Sequence, residues 1–199
     1  MKKVCFFGGS FDPIHLGHLN LAVNLMEKHY LEQVLFCPAS TSPFKEEAPP
    51  EASKKERLEM IQRSITSMEA FEVLDFECNR EGLSYTLDTI KEIKRLNSES
   101  DLYFILGEDA VATFHQWKGF EELVSLATPL IGTRVSGSLP SLSHLPHKVS
   151  QALKAGMTPI PVMEVSSTLI RERLKHKKYC GHLLTESVLK YIETKKLYL

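Results

Sequence analysis

The sequence predicts an α/β protein with a Rossmann-like, doubly wound parallel sheet, helices on both faces and a small C-terminal helical part. Short apolar runs alternate with segments of helical periodicity along most of the 199 residues. Strands joined by helical crossovers pair in parallel, and a parallel sheet needs cover on both faces. The length suits one sizeable core, so we expect a single domain over residues 1–199.

The first half of the chain supplies three of the predicted strands. Apolar runs predict strands at residues 4–7, 33–37 and 71–76. Apolar residues at helical spacing predict helices over about 16–30 and 53–68, and residues 83–88 lead into a third helix that ends near 97. Between them, residues 39–52 are rich in Ser, Thr and Pro and predict an exposed, mobile loop.

The second half continues the alternation. Strands are predicted at residues 102–106, 128–133 and 158–163, with short helices around 117 and at 120–126. Residues 134–147 are rich in Ser, Pro and Gly and predict a loop, followed by a helix near 149–155. A helix capped at 166–168 runs to about 177, and a final helix spans about 185–195.

Composition excludes several classes of function. The formal net charge of −1 gives no global attraction for nucleic acid or an anionic membrane. No apolar run is long enough to span a bilayer, and the N-terminal run is too short for a signal peptide. The four cysteines are widely spaced without a CxxC pair, which favours reduced thiols over disulfides. We therefore expect a cytoplasmic protein.

The first motif follows the first strand and ends in two histidines. Gly8 and Gly9 predict a sharp turn where the backbone approaches a ligand. A helix begins after the Asp-Pro pair at 12–13, so His15 and His18 share one face of its first turn. First-turn amides and imidazoles attract anions, which favours a site for a phosphate chain. Solvated histidines and half of a metal site are the alternatives, although no second ligand pair with metal spacing is present.

The second motif lies at the start of a helix near the C-terminus. Ser166, Ser167 and Thr168 there are typical helix caps, which is the structural interpretation. The same hydroxyls and first-turn amides can also bind phosphate oxygens, and Arg171 lies one turn along to add a forked donor. Paired with the first motif, this segment predicts the opposing half of a polyphosphate clamp. Gly8-Gly9, Pro38, Gly107 and Val165-Ser166 all follow predicted strands, so they are expected at one sheet edge.

Together, GGSFDPIHLGHL and EVSSTLIRERL resemble the nucleotidyltransferase superfamily with its HxGH and SSTxxR signatures. More closely, the chain resembles bacterial nicotinate-nucleotide adenylyltransferases over essentially its full length. Further matching stretches are Lys45, KERLEM at 55–60, SYTLDT at 84–89, GED at 107–109, WK at 117–118 and the C-terminal segment 188–198.

The resemblance implies a set of site residues. Those implied to face ATP are Gly8, Gly9, Ser10, Phe11, His15, His18, Asp109, Ser166, Ser167, Thr168 and Arg171. Those implied to face the acceptor are Lys45, Tyr85, Thr86, Trp117 and Arg134. Within these sets His15, His18 and Arg171 are the implied catalytic residues, and Trp117 is the implied stacking partner of the nicotinate ring. The role of Arg134 is left open.

The resemblance also implies the reaction. AMP passes from ATP to nicotinate mononucleotide, giving deamido-NAD and pyrophosphate in NAD biosynthesis, with Mg²⁺ bound through the ATP phosphates. ATP and nicotinate mononucleotide are the implied partners, without nucleic acid or membrane, and a homo-oligomer is left open. The chain departs from the family pattern at Phe44, where His is common, at Val135-Ser136, where Pro is common, and at Leu184-Thr185, where Val-Pro is usual.

Several residues have structural interpretations that compete with the implied roles. Trp117 can be a core or surface aromatic, Thr86 the N-cap of its helix, and Lys45 a solvated loop lysine. His115 is expected to be structural. The remaining histidines outside the motif are expected at the surface, and these are His29, His144, His147, His176 and His182.

Two other functions compete with the implied one. A sister adenylyltransferase would use nicotinamide mononucleotide, phosphopantetheine or another phosphate acceptor. A nucleotide-binding regulator would keep the fold without turnover, but it would be expected to lose a histidine of HxGH or Arg171, and this chain keeps all three.

Overall fold

The computed structural model describes residues 1–41, 43, 49–134, 141–161 and 163–199, without the side chain of Arg134. In this part of the chain the strands are β1 Lys3–Gly9, β2 Gln33–Pro38, β3 Phe71–Val73, β4 Asp101–Leu106, β5 Thr128–Arg134 and β6 Met157–Ile160. The α-helices are α1 Leu16–His29, α2 Lys54–Ile65, α3 Thr86–Leu96, α4 Glu108–Val111, α5 Phe120–Leu126, α6 His147–Gly156, α7 Ser167–Lys175 and α8 Glu186–Lys195. A 3-10 turn at Phe114–Gln116 joins α4 to α5.

The six strands form one parallel sheet in the order β3-β2-β1-β4-β5-β6. The pairings of β1 with β4, β4 with β5 and β5 with β6 are parallel, with Lys3 opposite Asp101 and Ile131 opposite Met157. This is the doubly wound order, which reverses direction between β1 and β4. The predicted fold class is therefore confirmed. Ligands of such sheets bind beyond the carboxyl ends of the strands at that reversal, and the GGSFDP segment lies at the end of β1.

Most boundaries lie within a few residues of the predicted ones, with informative exceptions. β3 ends at Val73 rather than Phe76, because the chain turns there and the Asn79 amide donates to the Asp75 carbonyl. α4 directly after β4 was not predicted, since four residues are too few to show helical periodicity. β6 begins and ends earlier than predicted, at Met157 and Ile160.

Backbone contacts divide the chain into two compact units. The first contains Met1–Gly8, Leu21–Leu35 and Tyr85–Val162, and the second contains Gly9–Asn20, Phe36–Ser84 and Met163–Leu199. Within the first unit α6 packs on β5 so closely that a Cβ at Gly156 would lie 1.9 Å from the Pro129 carbonyl oxygen. Within the second unit α2 packs against α8 and β3.

The helix α2 organises the core of the second unit. Ser53 and Glu56 form a reciprocal capping box at its start, in which the Ser53 hydroxyl accepts from the Glu56 amide and Glu56 accepts from the Ser53 amide. Its buried stripe includes a charged residue, and its members are Arg57, Met60, Ile61, Ser64 and Ile65. Sequence periodicity predicted the helix but did not reveal that Arg57 is buried in it.

The cysteines and the helix lengths are two general features of the described chain. All four cysteines are free, with Cys5, Cys37 and Cys180 buried and Cys78 half-buried. None of the helices in the described ranges is long and apolar enough to cross a membrane.

Candidate active site

The two glycines at the end of β1 lie within the strand and against aromatic rings, not in a turn. Gly8 and Gly9 are the last residues of the strand, so the expectation that the strand stops before them is wrong. A Cβ at Gly8 would lie 2.7 Å from the Phe6 ring, and one at Gly9 would lie 3.2 Å from the Phe11 ring. A side chain at either position would therefore require the neighbouring ring to move.

The chain turns instead at the next three residues. Phe11 has a left-handed backbone with φ of 48°, and the Asp12-Pro13 peptide bond is cis. A bulky residue adopts positive φ at a cost that surrounding packing must offset. The Phe11 ring is buried, with its centroid 5.0 Å from that of His18 and 5.8 Å from that of Phe36. This packing holds the backbone that leads into the histidine motif.

The spacing predicted that His15 and His18 share one face, and their rings stack on one another. Their ring centroids are 3.6 Å apart with planes inclined by 22°. α1 begins at Leu16, and the His15 carbonyl accepts from the His18 amide at 2.9 Å. The His15 amide donates to Nδ1 of His18 at 3.2 Å. Because Nδ1 of His18 accepts a hydrogen bond, a neutral His18 carries its proton on Nε2, where it can be donated to a ligand oxygen.

The two histidines differ in their surroundings. His15 is buried, whereas His18 is half-buried. Desolvation lowers the pKa of His15 from 6.5 to about 4, so His15 is neutral at pH 7. Its Nδ1 is buried without a hydrogen-bond partner among the described residues. His15 can therefore offer a ligand a neutral N–H or a lone pair, but not a positive charge, in the ligand-free protein.

The HxGH and SSTxxR segments lie together in the second unit. A Cβ at Gly17 would lie 2.6 Å from Cγ1 of Val165 and 3.1 Å from Nδ1 of His15. The Ser167 hydroxyl donates to the Pro13 carbonyl at 2.9 Å, and NH1 of Arg171 donates to the Asp12 carbonyl at 2.8 Å. The juxtaposition of the two motifs is thus a direct contact between residues more than 150 positions apart.

The hydroxyls of the second motif have separate tasks. Ser166 is the N-cap of α7, and its hydroxyl accepts from the Leu169 amide at 3.1 Å. The Ser167 hydroxyl is the donor to Pro13, and Thr168 is exposed. The capping interpretation of this motif is therefore correct for Ser166. A phosphate-binding role for all three hydroxyls stays a prediction.

Asp12 is the centre of a buried network that sequence reasoning did not predict. Its Oδ1 accepts from the Ala52 amide at 3.0 Å and from the Tyr198 hydroxyl at 2.7 Å. Its Oδ2 accepts from the Glu51 amide at 2.8 Å and lies 3.7 Å from NH1 of Arg171. Burial, reinforced by the Asp12 charge, raises the pKa of the Tyr198 phenol well above its usual range, so Tyr198 remains a donor.

Arg57 supports the same segment from α2. The side chain is 1% exposed, and NH1 donates to the Ser10 carbonyl at 2.8 Å. Burial lowers the pKa of its guanidinium, while the neighbouring Cys78, Asp12 and Tyr198 groups act in the opposite direction. Arginine has a very high reference pKa and stays charged at neutral pH. The signal in the sequence was an arginine at helical spacing from the buried apolar residues Met60, Ile61 and Ile65.

Of the residues expected to face the acceptor, Tyr85, Thr86, Trp117 and Arg134 lie in the first unit. Tyr85, and not Thr86, is the N-cap of α3, so the N-cap alternative for Thr86 is wrong and Thr86 is the first helical residue. The Lys118 ammonium lies 4.3 Å from the centroid of the Tyr85 ring and 3.1 Å from Oδ2 of Asp88. These contacts bring the Trp117-Lys118 segment beside the start of α3.

Trp117 and Asp109 have local partners of their own. The half-buried Trp117 ring lies 5.4 Å from the Phe114 ring, so part of its surface contributes to the core. Asp109 is exposed in the first turn of α4, and its Oδ1 would lie 2.4 Å from a Cβ at Gly107. His115 is exposed, and its ring is 5.0 Å from that of His144.

The remaining predicted positions are tested to different degrees. Lys45 and the departures at Phe44, Val135 and Ser136 lie outside the described residues, and Arg134 is described only as the last residue of β5.

His29 is half-buried and its Nε2 lies 2.7 Å from the Thr158 hydroxyl, so its assignment to the surface is wrong. The exposed histidines at 144, 147, 176 and 182 confirm the expectation for the others. Thr185 is the N-cap of α8 but makes no side-chain capping bond.

Among the described residues, no group of three or more His, Cys, Asp or Glu side chains could hold a metal ion. The charged groups around the two motifs are instead Arg171, Lys175, Glu51 and Asp12, which bind one another. The two cations of this set can donate to phosphate oxygens.

Comparison with known proteins places this geometry in a family. The cytidylyltransferase-like family matches residues 6–173, which include both motifs. A "Probable nicotinate-nucleotide adenylyltransferase" of Methylacidiphilum infernorum is 36% identical over 197 residues, covering 99% of this chain and 92% of that protein. A protein of Shouchella clausii with the same name is 37% identical, covering 100% of this chain and 97% of that protein.

The chain belongs to the nicotinate-nucleotide adenylyltransferase family. The family resemblance noted from the motifs is thereby confirmed. A solved structure, the Plasmodium falciparum nicotinic acid mononucleotide adenylyltransferase complexed with NaAD, has the same fold with a TM-score of 0.78 at 21% sequence identity. It covers 100% of this chain and 98% of that chain. The family fold thus extends over the whole sequence.

Proposed function

We propose that this chain transfers the AMP moiety of ATP to nicotinate mononucleotide, giving deamido-NAD and pyrophosphate. The observation that carries the proposal is the contact between the two family motifs, in which Arg171 and Ser167 bind the backbone that leads into His15. The motifs provide donors and positive charge in one place, as a triphosphate requires. Nicotinate mononucleotide is proposed as the acceptor because relatives that match the full length are named probable nicotinate-nucleotide adenylyltransferases.

The proposed reaction is a single in-line displacement. An oxygen of the mononucleotide phosphate forms a bond to the α-phosphorus of ATP, and the bond from that phosphorus to the bridging oxygen of the β-phosphate breaks. The nucleophile is already anionic at neutral pH, so the chain need not supply a base. Its residues must instead align the two phosphates and stabilise the charge that develops on the α-phosphoryl group and on pyrophosphate.

The proposed roles follow from the side chains in place. His18 would donate from Nε2 to an α-phosphoryl oxygen, since its Nδ1 accepts from the His15 amide. His15 would contribute as a neutral ring stacked on His18. Arg171, with Ser166, Ser167 and Thr168 at the start of its helix, would hold the β- and γ-phosphates. Gly8, Gly9, Ser10 and Phe11 would form the adjoining wall, and Asp109 would lie by the adenosine.

Mg²⁺ is proposed to bind through the ATP phosphates and to neutralise part of their charge during transfer. On the acceptor side, Trp117 would stack on the pyridine ring beside Tyr85 and Thr86. Lys45 would approach the mononucleotide phosphate, and Arg134 would be a further acceptor-binding residue.

Several properties of the whole chain belong to the same proposal. We infer that residues 1–199 act as one nucleotidyltransferase domain, since the family match includes parts of both compact units. A cytoplasmic location is supported by the four free cysteines. A homo-oligomer stays a prediction that size-exclusion chromatography with light scattering can test.

The experiment is a pyrophosphate-release assay with ATP and Mg²⁺, in which nicotinate and nicotinamide mononucleotides are compared side by side. We expect release with both purified substrates present and a higher kcat/KM with the nicotinate form. A higher kcat/KM with the nicotinamide form would instead identify the sister enzyme. Release with neither would contradict the proposal and direct the search to another phosphate acceptor or to a regulator without turnover.

A further inference from the structure

Two cations of α7 bind the same oxygen atom of a residue that belongs to neither family motif. Nε of Arg171 donates to Oε1 of Glu51 at 3.0 Å, and the ammonium of Lys175 lies 2.9 Å from the same oxygen. Lys175 lies one turn after Arg171 on the helix, so both side chains extend along the same face. Glu51 is 120 residues away in sequence. The ligand-free site is therefore closed by a carboxylate from the chain itself.

The main chain of Glu51 is anchored independently of its side chain. Its amide donates to Oδ2 of the buried Asp12 at 2.8 Å. Arg171 likewise has a second attachment, because its NH1 donates to the Asp12 carbonyl at 2.8 Å. Loss of the Glu51 carboxylate from Arg171 would thus leave both backbones in place.

The Glu51 carboxylate is in a position to be exchanged. The side chains of Arg171, Glu51 and Lys175 are 22%, 40% and 49% exposed, so an anion in solution can reach them. Ion pairs of this exposure contribute little to stability, because water screens them. A phosphate oxygen offers the same partners more charge than a carboxylate oxygen does. The hydrogen bond from Lys175 is the largest cause that lowers the pKa of Glu51, which remains charged at neutral pH.

We propose that Glu51 is an internal stand-in for phosphate that ATP displaces from Arg171, and that Lys175, freed by the same displacement, is a further ligand of the triphosphate and of the leaving pyrophosphate. This inference rests on the proposed function for its substrate. Arg171 and Lys175 would then form a two-cation grip on the terminal phosphates. Glu51 would act as a competitor that keeps the grip from binding other anions tightly.

Loss of a charged side chain from a binding site usually weakens binding, but loss of the Glu51 charge is expected to strengthen it. A ligand that binds only the open arrangement has its affinity reduced by the fraction of molecules that are open. Removal of the competing charge should therefore tighten ATP binding. If Glu51 instead held Arg171 in its working position, the same substitution would weaken binding.

The first experiment measures the dissociation constant of ATP by titration calorimetry without any acceptor, for the full chain and for Glu51→Gln. We expect Glu51→Gln to bind ATP about twofold to tenfold more tightly at low ionic strength, with a smaller difference at high salt. Glu59→Gln is the matched control, since Glu59 pairs with Arg63 on α2 at a similar exposure of 42%. Unchanged or weaker ATP binding by Glu51→Gln would overturn the proposal.

The second experiment measures the Kd of inorganic pyrophosphate and the two KM values for Lys175→Met. We expect the Kd of pyrophosphate and the KM for ATP to rise about threefold to tenfold, and the KM for the mononucleotide to stay within about twofold. Lys190→Met is the control, because Lys190 pairs with Glu186 on the exposed side of α8. Equal behaviour of Lys175→Met and Lys190→Met would overturn the role of Lys175.

The two measurements separate this inference from the proposed function. If the protein transfers AMP to nicotinate mononucleotide but Glu51→Gln binds ATP no more tightly, the inference fails and the function stands. If no mononucleotide is adenylylated, yet ATP binds and the shifts at Glu51 and Lys175 are observed, the acceptor is wrong and the inference stands.

Discussion

At the scale of single residues, the candidate site depends on where protons and charges lie. His18 is held in one tautomer by the His15 amide, and its ring stacks on a neutral His15. Arg171 binds Asp12 and Glu51 before any ligand arrives. Each of these assignments can be tested by a substitution that changes one hydrogen bond or one charge.

His18→Ala should lower kcat by about a hundredfold to a thousandfold, because a donor aimed at the developing phosphoryl charge is lost. The Kd for ATP should change by less than about tenfold, since Arg171 and the α7 segment remain. Steady-state pyrophosphate release and calorimetry measure the two effects. His176→Ala, at an exposed position, is the control. Turnover that survives His18→Ala nearly intact would refute the proposed mechanism.

The buried His15 should make the protein less stable in mild acid. The unfolded chain takes up this proton below about pH 6.5, but the folded protein takes it up only below about pH 4. Stability should therefore fall as the pH drops from 6.5 to 4, by up to about 3 kcal/mol from this residue.

Urea unfolding at several pH values measures this dependence. His15→Asn should show a shallower loss between pH 6.5 and 4 than the unsubstituted chain, because it lacks the titrating group. His144→Asn removes an exposed histidine and should leave the slope unchanged. Identical slopes for all three proteins would mean that His15 is not desolvated in solution.

Trp117→Ala should raise the KM for nicotinate mononucleotide about tenfold or more, since base stacking on an aromatic ring contributes about 1–3 kcal/mol. The KM for ATP should stay within about twofold. Trp117→Phe keeps a ring against Phe114 and should retain most of the affinity. Initial-rate measurements with each substrate varied in turn give the two KM values. Equal increases in both KM values would remove Trp117 from the acceptor pocket.

At the scale of elements, caps and close contacts determine where helices start and how they pack. α2 carries Arg57 to the Ser10 carbonyl, so its start influences the position of the site. α7 carries Arg171 and Lys175 on one face, and Ser166 caps it. Gly17 and Gly156 allow approaches that any side chain would prevent.

Ser53→Ala should destabilise the protein by about 1 kcal/mol, because the capping box of α2 loses its side-chain acceptor. Urea unfolding measures the change in the free energy of unfolding. Ser53→Asp keeps an acceptor at the N-cap and should recover most of the loss. Equal destabilisation by the two substitutions would show that capping is not the cause.

At the scale of the whole molecule, the C-terminal segment forms hydrogen bonds with distant parts of the second unit. The Tyr198 hydroxyl donates to the Asp12 carboxylate across 186 positions of sequence. The Leu16 amide donates to the Leu183 carbonyl, and the Ser187 hydroxyl donates to the Arg63 carbonyl. The last segment of the chain is thus part of the support of the first motif.

Tyr198→Phe should lower the free energy of unfolding by about 1–3 kcal/mol, because a buried hydrogen bond to a charged group is lost while the ring is kept. kcat should fall as well, since Asp12 leads directly into the histidine motif. Tyr179→Phe, at a position that is 72% exposed, is the control. Urea unfolding and pyrophosphate release measure both effects, and a Tyr198→Phe protein as stable and active as the control would show that this bond is dispensable.

Much of the fold followed from local patterns. Alternating apolar runs and helical periodicity predicted all six strands of the sheet and the parallel class, because burial of one face leaves a periodic trace in the sequence. The four-residue α4 and the early end of β3 at Val73 were not predicted, since segments this short show no period and are defined by hydrogen bonds.

The sequence by itself determined the fold class, the HxGH and SSTxxR motifs and the family. The tertiary structure alone decided how the GGSFDP segment turns, which hydroxyl caps α7, and that Asp12, Arg57 and Tyr198 support the site. It also revealed the ion pairs of the Glu51 carboxylate with Arg171 and Lys175. The physical reason is range: a motif records residues close in sequence, whereas hydrogen bonds and ion pairs between distant residues exist only once the chain has packed.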